Sequence, residues 1–130
     1  MNLTRASWPI FIGFVLLTGC HAKTPQATAQ DVEAVKQDAQ RDIEQARVEA
    51  SKDIKSAAKI GGSSSRDMAL AKATAAYDIA MVKADGDHKV ATEKCQTLEA
   101  SMMQACKDRA DADFEAAKTT AKATRVARQQ

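Results

Sequence analysis

The chain has 130 residues, a formal net charge of +2, 45% hydrophobic residues and 4% aromatics. Alanine accounts for 27 of them, and beyond residue 19 the Leu, Ile, Val and Phe counts are only 2, 4, 6 and 1 among 111 residues, under the roughly 20% below which a core is hard to build. These figures exclude a multidomain enzyme, a large buried pocket and a polytopic membrane protein, while the near-balanced charge argues against charge-driven disorder; alanine with Lys, Glu, Gln and Arg favours helix, so the expected class is all-α, thin-cored and elongated.

Met1 to Arg5 is short and carries a positive charge, and Trp8 to Leu17 is a ten-residue apolar run. A membrane-spanning helix needs about 20 residues, so this run fits the hydrophobic region of a secretory signal with its basic segment in front. It ends in Leu17-Thr18-Gly19-Cys20, which resembles the lipobox of bacterial lipoproteins. The resemblance implies that the Cys20 thiol takes a diacylglyceryl group, that a signal peptidase cuts between Gly19 and Cys20, and that the new amine is acylated. One acyl chain anchors only marginally, and two or three anchor stably. The second residue of the mature chain is then His21 rather than Asp, which by resemblance to Gram-negative lipoproteins implies the outer membrane, facing the periplasm. Residues 1–19 are thus the expected signal peptide and 20–28 the lipidated cysteine with a tether, because His21 to Ala27 lacks large apolar residues and contains Pro25. No cofactor is expected beyond the covalent lipid on Cys20.

Residues 29–130 are expected to form the helical body. Thr28-Ala29-Gln30-Asp31 fits a helix N-cap, opening a first helix over about 29–60. Its apolar stripe is Val32, Val35, Ala39, Ile43, Ala46, Ala50, Ile54 and Ala57, in steps of three, four and four. Eleven residues in three turns is 3.67 per turn, so such a helix runs nearly straight. The opposite face carries acid-to-base pairs at i,i+3: Glu33–Lys36, Asp38–Arg41, Glu44–Arg47 and Glu49–Lys52. A lipid-surface face would carry bulky Trp, Phe or Leu, whereas this stripe alternates with alanine, which favours close helix–helix packing. Gly61-Gly62-Ser63-Ser64-Ser65 breaks the pattern. Ser64-Ser65-Arg66-Asp67 fits a second capping box, so a second helix over about 65–98 is expected to return antiparallel.

The eleven-residue period continues there: Ala73, Tyr77, Ile79, Ala80 and Lys83 align with Ala84, His88, Val90, Ala91 and Lys94. Gly86 costs such a helix about 1 kcal/mol relative to Ala and marks a candidate bend. Cys95 and Cys106 would lie about 16 Å apart in one continuous helix, whereas a disulfide needs Cα atoms within about 7 Å. The helix therefore breaks between them, or they pair with other chains, or both stay reduced. Ser101-Met102-Met103-Gln104 fits a capping box. A hairpin near Glu99–Ser101, followed by a third helix over about 102–126, would set the cysteines opposite each other. With Cys20 acylated and the compartment oxidising, a Cys95–Cys106 bridge within the chain is the expectation.

Lys89-Val90-Ala91-Thr92-Glu93-Lys94-Cys95-Gln96-Thr97-Leu98, then Ala105-Cys106 and Ala110 to Phe114, resembles a group of alanine-rich proteobacterial envelope proteins loosely labelled TolA-like or cell-envelope-biogenesis proteins. The resemblance covers about residues 77–120. It departs at His88, where an aromatic is usual, and at Ala100, where glycine is usual. It implies an exported, helical, disulfide-linked chain. The major murein lipoprotein is a second comparison, but this chain ends Arg128-Gln129-Gln130 without a terminal lysine, so lysine linkage to peptidoglycan is not expected.

Among other candidate sites, Asp85-Gly86-Asp87-His88 lacks the further oxygens of a calcium loop and the four ligands of a zinc site, and is expected to be a solvated turn. Met68, Met81, Met102 and Met103 are expected to fill a thin core beside Leu98, Cys95 and Phe114. Lys118, Lys122, Arg125 and Arg128 form a basic stripe expected to be a solvated face that complements the helix dipole. Without aromatics around it, nucleic acid is not an expected partner. Catalytic and metal residues are not expected, and the chain is not read as an enzyme. The functional expectation is a membrane-anchored envelope lipoprotein acting as a structural spacer or protein-interaction module. Its expected partners are the membrane through the lipid, further copies of itself, and an envelope protein or peptidoglycan. The alternative is a small periplasmic inhibitor, immunity or exclusion lipoprotein that binds one envelope protein.

Overall fold

The computed structural model describes residues 25–60 and 64–129 of the chain, with side chains from Thr28 onward. The signal peptide, Gly19, Cys20, the tether up to Thr24, and Gly61 to Ser63 of the expected turn lie outside the described residues. The described residues form three helices: α1 Pro25–Lys59, α2 Ser65–Cys95 and α3 Ala100–Ala127. The all-α antiparallel expectation therefore holds.

The first helix begins four residues earlier than its sequence suggests. Pro25 takes the first helical position, where its missing N–H costs nothing and its fixed φ is already helical. Thr28 is consequently inside the helix, where it is fully buried, and it is not the capping residue. Part of the expected tether is helix. From Thr28 onward, the buried and half-buried positions of α1 are Thr28, Asp31 and the eight residues of the apolar stripe. On the outer face Lys36 pairs with Glu33 (3.4 Å), Arg41 with Asp38, and Arg47 with Glu44 (3.6 Å). At the fourth expected pair, Glu49 instead accepts a hydrogen bond from Gln45 (3.0 Å).

Ser64 caps α2 as its sequence predicts. Its Oγ accepts from the Asp67 N–H (3.2 Å), and the Asp67 carboxylate accepts from the Ser64 N–H (3.0 Å). Ser64→Ala should cost about 1 kcal/mol, which a thermal melt followed by circular dichroism should register as a drop of about 4–8 °C.

The antiparallel chain places α2 in the middle. It contacts α1 on one side and α3 on the other, while α1 and α3 nowhere bring Cα atoms within 8 Å of each other. The core therefore consists of two seams, and in both the buried residues are small. Against α1, α2 sets Gly86 opposite Ala39; eleven residues away along each helix, Ala75 and Ala50 are both buried and share one groove. Toward α3, α2 turns Ala73, Ala84 and Cys95, again at eleven-residue spacing, and α3 buries Ala110 and Ala121. The repeat survives because each helix presents a small residue every third turn, letting the backbones approach closely.

Asp85–His88 is not a turn. Helix α2 runs through it without interruption. Gly86 is buried because a Cβ there would sit 2.7 Å from the Ala39 Cβ. The glycine is a close-approach residue, and its helix cost is offset by the contact it permits.

The helix ends at Cys95, three residues before the expected limit, and the chain turns over Gln96–Glu99. Thr97 and Leu98 N–H groups bond back to the Lys94 and Cys95 carbonyls (3.3 and 3.1 Å). The chain re-enters helix at Ala100 with Glu99 as an N-cap that makes no side-chain capping bond. Ser101 is thus already helical, and its expected capping box is not made; Gln104 donates to Asp108 instead (2.7 Å).

Candidate functional site

The turn brings Cys95 and Cys106 together, and they form a disulfide with a Cα–Cα distance of 5.6 Å. Cys95 is one of the few fully buried side chains, so the bridge closes one end of the α2–α3 seam.

Two ring contacts continue that seam at the same eleven-residue spacing. His88 of α2 stacks on Phe114 of α3 (ring centroids 4.9 Å apart, planes 22° from parallel), and its Nε2 lies 2.6 Å from an Asp111 oxygen. Eleven residues before His88 and eleven after Phe114, the Arg125 guanidinium lies 4.4 Å over the Tyr77 ring. A cation held over an aromatic face contributes about 0.5–1 kcal/mol when exposed and more when desolvated. These contacts are legible only as the eleven-residue spacing of Tyr77 to His88 and of Phe114 to Arg125; helix pairing is needed to see that they meet.

The basic stripe therefore divides. Lys118 binds Glu115 (2.6 Å) and sits 4.9 Å over Phe114, and Arg125 turns inward to Tyr77, whereas Lys122 and Arg128 are exposed. The stripe is half packing and half free cation rather than one solvated face.

The methionines do not gather into a core. Met81 lines the α1–α2 seam beside Ala46 and Val82, Met68 lies near the opposite end of α2 from the bridge, and Met102 is 53% exposed. Leu98 is exposed as well. Met103 is half-buried, and the buried seam positions are held by alanine, Gly86 and Cys95 rather than by methionine.

Around Lys89 the α1–α2 seam is acidic. The Asp85 carboxylate accepts a hydrogen bond from the Lys89 ammonium (2.6 Å), and Asp85, Asp42 and Asp38 add their charges, holding Lys89 above the usual lysine range. Lys83 pairs with Asp87 (2.5 Å). Both carboxylates of Asp85-Gly86-Asp87 are thus committed to lysines of their own helix. Among the described residues, no group of three His, Cys, Asp or Glu side chains is placed to hold a metal ion.

What remains as surface is a set of shallow grooves along the two seams. A groove of about 410 Å³ between α2 and α3 has an alanine floor of Ala73, Ala76, Ala80 and Ala121 with Lys83 and Arg128 at its rim. Another, of about 650 Å³, lies where α2 begins and α3 ends, and Arg66 and Arg128 both line it. No described helix is long and apolar enough to cross a membrane. No protein-family model, curated protein or solved structure matches the chain.

Proposed function

We propose that the protein is an envelope lipoprotein, anchored in the outer membrane through lipid on Cys20 and facing the periplasm, whose helical body is a structural spacer and interaction module. Leu17-Thr18-Gly19-Cys20, after its basic and apolar segments, supports the anchor. The observation that carries the spacer is the start of α1 at Pro25, five positions past Cys20, and its run of 35 residues without a break. At 1.5 Å per residue that is about 52 Å of helix, stiffened along its length by α2. The narrow alanine seams fit a part that spans distance rather than one that encloses a substrate.

Fractionation tests the reading. The wild-type protein should sediment with membranes, and mass spectrometry should find acyl groups on Cys20 as the mature N-terminus. Cys20→Ser should lose the lipid and release the body from the acylated pool. An unmodified Cys20 in mature protein would overturn the proposal.

A further inference from the structure

The antiparallel register divides the body into two halves along its axis. Residues 43–60, 64–82 and 120–129 lie toward the end where α1 gives way to α2; residues 25–42 and 83–119 lie toward the end where α1 begins and α2 turns into α3. The first half carries nine Lys and Arg against five Asp and Glu, and the second carries eight against twelve. The near-neutral chain is therefore +4 at one end and −4 at the other.

Ion pairing leans the same way: five of the eight cations of the acidic half have an ion-pair partner among the described residues, against Arg47 alone of the nine in the basic half. Lys36, Arg41, Lys83, Lys89 and Lys118 are all paired within the acidic half. In the basic half Lys55, Lys59, Arg66, Lys72, Lys122 and Arg128 are exposed, and none has an ion-pair partner among the described residues. Their placement is concave in two places. Arg66 and Arg128 share their groove with Ser65 and Gln129, and among the described residues no carboxylate lines it. Lys55 of α1 and Lys72 of α2 both line the α1–α2 groove.

We infer that this basic end is a docking surface for an anionic envelope polymer, peptidoglycan with its free stem-peptide carboxylates. The cations come from three helices and are too widely spread for one small anion to use; repeated carboxylates on a polymer meet them together. The orientation rests on the lipoprotein reading. Cys20 leads into the acidic end, so the basic end stands about 50 Å away along α1, far beyond the roughly 10 Å over which charges are felt at 0.1 M salt. The acidic end is repelled by anionic headgroups, which keeps the basic end directed outward.

The test is cosedimentation of the full protein, purified in detergent, with isolated peptidoglycan sacculi. Binding should fall steeply between about 0.05 and 0.5 M salt as screening shortens. Arg66→Glu with Arg128→Glu should weaken it by about tenfold or more, with helicity unchanged. Lys94→Glu with Arg109→Glu, the same charge change placed at the acidic end, should leave it within about twofold of the parent. Equal loss in both pairs would mean that net charge alone is responsible and would overturn the docking surface. Absence of binding at low salt would overturn it too. Tighter binding to vesicles containing anionic phospholipid, lost in the Arg66/Arg128 pair, would reassign the surface to membrane. None of these outcomes alters the acylation of Cys20, so the anchor and the docking surface fail separately.

Discussion

Substituting valine for Gly86 should lower the melting midpoint by roughly 10 °C and loosen α1 from α2. A Cβ at this position would meet the Ala39 Cβ at 2.7 Å and the Ala39 Cα at 3.6 Å. The nearer atom is the first carbon of a side chain rooted in helix backbone, so it has no rotamer to escape into, and α1 itself must shift. Overpacking of this kind costs about 1–3 kcal/mol. Helix propensity works in the opposite direction, since replacing glycine by alanine gains about 1 kcal/mol. Gly86→Ala should therefore lower the midpoint by only a few degrees, and Gly86→Val, with two further methyl groups and a smaller propensity gain, should show the clash in full. The double change Ala39→Gly with Gly86→Ala moves the one methyl across the seam and should return the midpoint to within a few degrees of the parent. Circular dichroism melts of the four proteins decide the matter. A Gly86→Val protein that melts with the parent would show that the helices do not approach here.

The same seam explains which parts of the fold were readable from sequence. The α1 stripe was legible residue by residue, because one helix face packs on one partner and the three-four-four spacing records it. The Ser64 cap was legible because both of its bonds are local. What failed were features decided between helices. Asp85-Gly86-Asp87-His88 has turn composition, yet Gly86 answers to Ala39, forty-seven positions earlier, and the surrounding aspartates are neutralised by Lys83 and Lys89 within the helix. The Ser101 cap failed by two residues, because the turn after Cys95 closes on backbone hydrogen bonds and returns the chain to helix at Ala100, with Glu99 at the cap. Arg125 looked like a solvated cation because Tyr77 lies on another helix. The axial charge separation was hidden for the same reason: the linear order of charges is unremarkable, and only the antiparallel register sorts them into two ends.

Loss of the Cys95–Cys106 bridge should release α3 while leaving α1 on α2. The bridge closes a loop with a sequence separation of 11, for which chain entropy gives about 3 kcal/mol of stabilisation. That is a large share for α3, which among the described helices touches only α2 and is held otherwise by alanine contacts of about 0.8 kcal/mol per buried methyl and by the two ring contacts of Phe114 and Arg125. The α1–α2 seam includes no part of the bridge. In a protein carrying both Cys95→Ser and Cys106→Ser, or in the parent after reduction, amide hydrogen exchange should accelerate throughout α3, while the amides around Ala39, Ala50 and Ala75 keep their protection. The ring contacts set the order of release: the first turns of α3 around Cys106 should open before the segment from Phe114 to Arg125, because His88 and Tyr77 continue to hold that segment after the bridge is gone. Uniform acceleration across all three helices would instead mean that the body folds as one cooperative unit, and unchanged protection in α3 would mean that the alanine seam holds it without the bridge.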